Sequence, residues 1–448
     1  MAASKYVALA VVILVIIAGA AYYLATRPGP GVTTTTETTT PPAETTSPTQ
    51  TTAPQEITIK IGVLVDETGP TSDVGISYSK GVVAALKYFN EKGIYTKDGV
   101  RVKLDWVKRD YAYNPTRAEE YYKEFRDKYH VIAILGWGTA DTEKLSDTII
   151  NDKIVYISAS YSAKLTVKPY NFFVPPDYST QACIAINWIA KTKPGAKIAL
   201  LYDHKVAYSR SPIDAIKQAA EQLGLQVVAD LDLPLKATEA DAESVILTLI
   251  ESTGGDVDYV WCGNTITSCS LAAKAMAKQG LDAVMISNVW GFDERSKDMI
   301  GSGGFGKVMG VSPFVYPMIA KEQGIEGITI VLDAARAAGI PEDEVNLRFL
   351  QGFLSAWLLV QAIERTTSQD LLQKGGEAIK AALESSCQGD PFDFKGLVAP
   401  ARFCPGNHVP SKQAYLVLLD ENGNFKLIGP ESAPEGIDCA KITAQAGG

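Results

Sequence analysis

From Ile57 onward, short apolar runs rich in Val and Ile alternate with amphipathic stretches of about three to five turns. ITIKIGVLVD (57–66) reads as a strand, and GISYSKGVVAALKYFNEKG (75–93) reads as a helix that closes on Gly93. RVKLDWVKRD (101–110) is a second strand. Asn114-Pro115 then opens a helix through Lys128, with Pro at the first helical position, where a missing N–H costs nothing. VIAILG (131–136) is a buried strand, 141–152 a helix, and IVYIS (154–158) another strand. The pattern restarts at KIALLYD (197–203), with a helix over 211–223, LQVVADL (225–231) and a helix over 241–252. VDYVWCG (257–263), a helix over 266–279 and AVMISNV (283–289) complete it. Two successive runs of βα units predict two parallel sheets with helices on both faces. The chain from 57 to 448 is too long for one core, so two lobes are expected.

The N-terminus departs from this pattern. Tyr6 to Ala25 (YVALAVVILVIIAGAAYYLA) carries no charge. At about 1.5 Å rise per residue it spans roughly 30 Å, the thickness of a bilayer's hydrocarbon core. A cleavable signal segment with its site at Ala18–Ala21 is the alternative. Residues 1–25 are therefore expected to anchor the chain in a membrane. No Cys precedes Cys183, so a lipidated N-terminal Cys is excluded. Residues 26–56 carry thirteen Thr and six Pro. Such a segment buries too little surface to offset its ordering entropy and reads as an extracellular linker, about 90 Å long if extended. It contains no acceptor sequon for N-glycosylation; O-glycosylation of its Thr residues would fit its composition. The expected location is the cell surface, with 57–448 outside.

Net charge −9 and pI near 5.1 argue against nucleic acid as a partner. Six Cys on an extracellular chain point to disulfides, with fifteen possible connectivities. Cys387 with Cys404 is the first expected pair, since both flank loops rich in Gly and Pro. Cys183, in an apolar helical stretch, reads as a buried thiol. His130, His204 and His408 are scattered and no CxxC exists, so neither a metal nor another cofactor is expected. There is no Walker A loop, no G-x-S-x-G elbow and no HExxH, which argues against an enzyme.

In parallel sheets, ligands bind at the carboxyl ends of strands, and the polar or Gly-rich stretches of this chain lie there. In GWGTAD (136–141), Trp137, Gly138 and Thr139 precede a helix whose N-terminus suits an anion such as a carboxylate. A plain strand-to-helix turn with Thr139 as N-cap accounts for the same residues. Ser160 and Ser162 flank Tyr161 after the next strand, as polar ligand contacts or as a Ser-rich turn. Tyr208 closes over a ligand from the second lobe or packs on its surface.

The order of these segments resembles the solute-binding proteins of branched-chain amino-acid ABC transporters, the leucine/isoleucine/valine-binding family with the type I periplasmic binding fold. The resemblance is carried by IGVLVDETGPTSDVGISYSKGVVAALKYFNEKGI (61–94), VIAILGWGTADTEKLSDTII (131–150) and IVYISASYSAKLT (154–166). KIALLYDHKVAYSRSPIDAIK (197–217) and DVDYVWCGNT (256–265) continue it. It implies an α/β protein of two doubly wound lobes joined by three crossovers, with 57–175 and 310–411 in one lobe and 176–309 and 412–448 in the other. It implies capture of an amino acid or related small carboxylate by hinge closure and delivery to ABC permease subunits in the membrane. It also implies that Thr139 binds a ligand carboxylate, with Ser160, Ser162, Tyr208, Asn264 and Thr265 around it. One departure stands out. Where the family carries an acid that recognises the ligand amine, this chain reads SNVWGFDE, with Val289 and Trp290 at the aligned positions. Either Asp293 swings in to bind an ammonium, or the ligand has no amine and is an aromatic acid or amide. Trp137, Tyr161, Tyr208 and Trp290 would suit such a ligand. The same fold also serves as a ligand-sensing receptor ectodomain, which here would act through a separate signalling partner.

Overall fold

The computed structural model describes Glu56–Gln445. The expected anchor and nearly all of the linker lie outside the described residues. Among the described residues, no helix is long and apolar enough to cross a membrane.

Among the described residues, thirteen strands form two sheets. In the first lobe they are β1 (Glu56–Val65), β2 (Ile94–Tyr95), β3 (Arg101–Asp110), β4 (Ala133–Gly136), β5 (Val155–Ser158) and β6 (Asn171–Phe172), in the order β2-β3-β1-β4-β5-β6. The second lobe has β7 (Lys197–Tyr202), β8 (Gln226–Asp232), β9 (Tyr259–Cys262), β10 (Val284–Ser287), β11 (Val308–Ser312), β12 (Gln413–Leu419) and β13 (Phe425–Ser432), in the order β13-β12-β11-β10-β9-β7-β8. Every expected strand is present within a residue or two of its reading. Strand β11 straddles the expected crossover at 310 and pairs in the second sheet. The sheets are not wholly parallel: β2 runs against β3, and β12 lies antiparallel to both β11 and β13. Strands β12 and β13 are joined by the turn at Asp420–Asn424, where Gly423 takes φ 75° and Asp420 accepts the N–H groups of Asn422 and Asn424. A connection this short can only join antiparallel strands.

Local chemistry fixes the helix starts. Asn114 caps the helix Pro115–Asp127 as expected, Asp177 caps Tyr178–Thr192, and Thr238 with Asp241 makes a capping box for Glu239–Thr253. The helices Ser72–Lys92 and Leu347–Glu364 cross closely in the first lobe. A Cβ on Gly81 would collide with the Phe349 carbonyl, and one on Gly352 with the Tyr78 carbonyl. This reciprocal pair of glycines lets two backbones touch, and it carries the start of the Leu347 helix towards the second lobe.

Three disulfides are present: Cys387–Cys404, as expected, with Cys262–Cys269 and Cys183–Cys439. Cys183 is thus not a free buried thiol. The C-terminal helix Cys439–Gln445 packs on the Tyr178 helix and delivers a partner 256 residues away.

Candidate ligand site between the lobes

Strand β4 ends at Gly136, and the chain turns through Trp137-Gly138 into the helix Thr139–Asp152. Gly138, not Thr139, occupies the cap position, and no side chain caps this helix. A Cβ on Gly138 would run into the Asp141 carboxyl and the Tyr111 hydroxyl. Only glycine lets the backbone sit there. The Gly138 N–H donates to the Tyr111 hydroxyl at 3.0 Å, which donates to Asp141 Oδ1 at 2.8 Å. Burial pushes the Asp141 carboxyl up to about 7, against the pull of the Tyr111 hydrogen bond. Ser160 Oγ donates to Thr139 Oγ1 at 2.8 Å. Trp137 is fixed by its ring N–H, which donates to Thr71 Oγ1 at 2.8 Å; Thr71 in turn donates to buried Asp66 at 2.6 Å.

The second lobe supplies the opposite wall. Thr265 is the cap residue of the helix Ile266–Gln279, yet its side chain makes no capping bond, and its buried hydroxyl has no partner. Past β10, Asn288 ties the strand ends together. Its amide N–H groups donate to the carbonyls of Cys262 and Asn264, and its Oδ1 accepts from the Tyr208 hydroxyl at 2.7 Å. The Trp290 ring N–H donates to the Tyr178 hydroxyl at 3.0 Å, which donates to the Ala159 carbonyl at 3.1 Å.

Together these residues face one another across a narrow space of about 20 Å³ between the lobes, room for little more than a water molecule. Thr71, Val74, Tyr113, Trp137, Gly138, Thr139 and Ala159 line it from the first lobe; Tyr178, Tyr208, Thr265 and Trp290 line it from the second. The indoles of Trp137 and Trp290 meet edge to face at 5.2 Å, and Tyr178 and Tyr208 do so at 5.5 Å. Burial raises the phenols of Tyr113 and Tyr208 well above their ordinary value, so both stay neutral. No lining side chain carries a charge at neutral pH. A larger groove of about 810 Å³ lies among Thr166, Asn407 and the 433–445 segment, away from the strand ends that build this wall.

Of the residues read from sequence, Trp137, Gly138, Thr139, Tyr208, Thr265 and Trp290 line this cavity. Ser160 stands behind Thr139, and Tyr161 behind Trp290, stacked on it at 5.6 Å. Ser162 donates to Glu143 and accepts from the Lys164 N–H, so it orders its own turn. Asn264 accepts from Ser209 Oγ and donates to the Leu233 carbonyl, bracing loops beneath the wall. Asp293 is outside the lining. It is buried and accepts from Arg295 and Arg348, which leaves it no freedom to swing towards an ammonium. Burial alone would raise its carboxyl, but the two guanidiniums hold it below the usual range. Thr71, Val74, Tyr113, Ala159 and Tyr178 were not singled out from sequence. Only Tyr113 leaves a signal there, as an aromatic residue just past the end of a strand.

Comparison with known proteins places this architecture. The family model described as periplasmic binding protein matches residues 58–424. The chain belongs to that family, and it is a substrate-binding protein of the kind that serves ABC transporters. An ABC-transporter substrate-binding protein from Aeropyrum pernix is 60% identical, with TM-score 0.84, covering 87% of this chain and 99% of that one. A branched-chain amino-acid ABC transporter protein from Thermus thermophilus, solved with valine, is 23% identical, with TM-score 0.74 and coverage of 88% and 98%. A solute-binding protein from Rhodopseudomonas palustris HaA2, solved with p-hydroxybenzoic acid, is 19% identical, with TM-score 0.67 and coverage of 84% and 98%. The last two share the fold. No curated protein matches the sequence. The family binds and delivers solutes and is not one of enzymes.

Proposed function

We propose that this chain captures a small carboxylate without an ammonium group, its body apolar or aromatic, and hands it to an ABC permease at the cell surface. The carrying observation is the uncharged wall. A ligand ammonium buried there would lose its hydration with no carboxylate among the lining side chains to replace it, at a cost of several kcal/mol. Trp290 fills the position where the resemblance leads one to look for an acid, and Asp293 is already engaged by two arginines. The start of the Thr139 helix, where no side chain caps it, favours the carboxylate end by its dipole. Five aromatic rings favour the apolar end. Related folds hold valine in one case and p-hydroxybenzoic acid in another, so the scaffold tolerates both chemistries and the wall decides between them.

In this reading residues 1–25 anchor the chain, 26–56 tether it, and closure of 57–175 with 310–411 onto 176–309 with 412–448 presents the loaded form to the permease. Thermal shift on the full chain tests the ligand class, since binding to the folded state alone raises the melting temperature. 4-Methylpentanoate and phenylacetate are expected to raise it, with leucine and phenylalanine inert. A rise with the amino acids alone would overturn the reading.

A further inference from the structure

Arg348 is fully buried at the start of the Leu347 helix, in the first lobe, and is not among the residues lining the cavity. Its Nε donates to Asp293 Oδ2 at 2.9 Å, Nη2 to the Phe292 carbonyl at 2.9 Å, and Nη1 to the Val289 carbonyl at 2.5 Å and to Gln351 Oε1 at 3.0 Å. All but the last of these acceptors belong to the loop after β10, in the second lobe. The guanidinium carbon also lies 5.2 Å from the centre of the Trp290 ring. A desolvated guanidinium is tolerable only where acceptors surround it. Arg348 is therefore at home here only while the lobes are together. Its partner does not depend on it: Asp293 keeps Arg295 of its own loop, at 3.0 Å to Oδ1 and 2.6 Å to Oδ2.

The same rim carries further crossings. Asp73, at the start of the Ser72 helix, accepts from Thr267 Oγ1 at 2.8 Å, and so supplies from across the cleft a side-chain acceptor for the first turn of the Ile266 helix. Arg295 Nη1 donates to the Asp73 carbonyl at 2.6 Å, and the Leu347 N–H donates to Glu294 at 3.1 Å. These contacts are made by protein groups alone.

We propose that Arg348 is a clasp: it holds the two lobes shut, so that the closed form is populated before ligand arrives. The ligand then adds to a closure the chain already favours. Arg348 is a positioning residue, and removing it acts on the closing equilibrium rather than on any ligand contact. The apparent affinity falls by the fraction of closed form lost, which is the same for every ligand.

Pulsed dipolar distance measurements on the ligand-free full chain test this directly, with spin labels on exposed Glu120 of the first lobe and Lys236 of the second. The unsubstituted protein should show one dominant distance, that of the closed form. Arg348→Met should move population to a second distance, and Arg348→Lys should lie between, since it keeps the charge and loses the fork. Affinities for 4-methylpentanoate and phenylacetate should both fall by the same factor, about thirty-fold or more. An unchanged distance distribution in Arg348→Met would overturn the proposal. So would losses that differ between the two acids, because that would make Arg348 a ligand contact. Circular dichroism checks folding. If Arg348→Met does not fold, Asp73→Ala removes the carboxylate that accepts both the hydroxyl and the N–H of Thr267 across the same rim and must shift the distances in the same direction, or the proposal falls.

Discussion

Asp141 shows how far one buried carboxyl can set the behaviour of the site. Its folded value of about 7 stands above the ordinary 3.8, so the folded chain keeps a proton that the unfolded chain releases. The sign follows from linkage: its contribution to stability is most favourable below about pH 4 and is lost as pH rises to about 7. The whole change is on the order of 4 kcal/mol. Asp141→Asn should flatten this part of the stability profile and raise the melting temperature at pH 8; chemical denaturation across pH 4–8 measures it. Asp141 also sits in the first turn of the helix proposed to receive the ligand carboxylate. Carboxylate affinity should therefore be higher at pH 5.5 than at pH 8, and Asp141→Asn should remove that difference. Thr139→Ala should weaken carboxylates about tenfold or more, in line with the loss of a hydrogen bond to a charged group. Thr139 and Trp137 were legible because they stand at a Gly-rich strand end. Whether Asp293 was free could not be read, because Arg348, which holds it, lies 55 residues further on, in a helix whose sequence gives no sign of which way the arginine turns.

At the level of elements, strand order and helix starts follow from patterns with a local cause. The helix Ile266–Gln279 has the range expected from its amphipathic pattern, and Asn114-Pro115 opens its helix by capping. What the sequence hid depends on contacts between distant segments. The Gly81–Gly352 crossing, which aims Arg348, joins the Ser72–Lys92 helix to the Leu347–Glu364 helix, and the second of these was not read from the sequence. Gly352→Val should force these helices apart and destabilise the protein by about 3 kcal/mol. The same substitution should lower the closed population in the distance measurement, because it moves the base of the clasp.

Across the whole molecule, the two lobes and their parallel cores were readable from the βα alternation, whereas the bond from the C-terminal helix to the Tyr178 helix was not. Cys183 lies in a helix whose apolar character explains its burial equally well without a partner. Replacing Cys183 and Cys439 together with Ala should lower stability by about 2–5 kcal/mol, read as a lower melting temperature. The cavity is a product of the assembled molecule: one wall comes from each lobe, and none of its lining side chains bears a charge. Calorimetric titration of the full chain with 4-methylpentanoate and with leucine, two ligands that differ by one ammonium group, tests this most directly. The account predicts that the acid binds at least about tenfold tighter, the minimum expected from burying an unpaired cation. Tighter binding of leucine would mean that the cleft contains a carboxylate available to the ligand, and would contradict it.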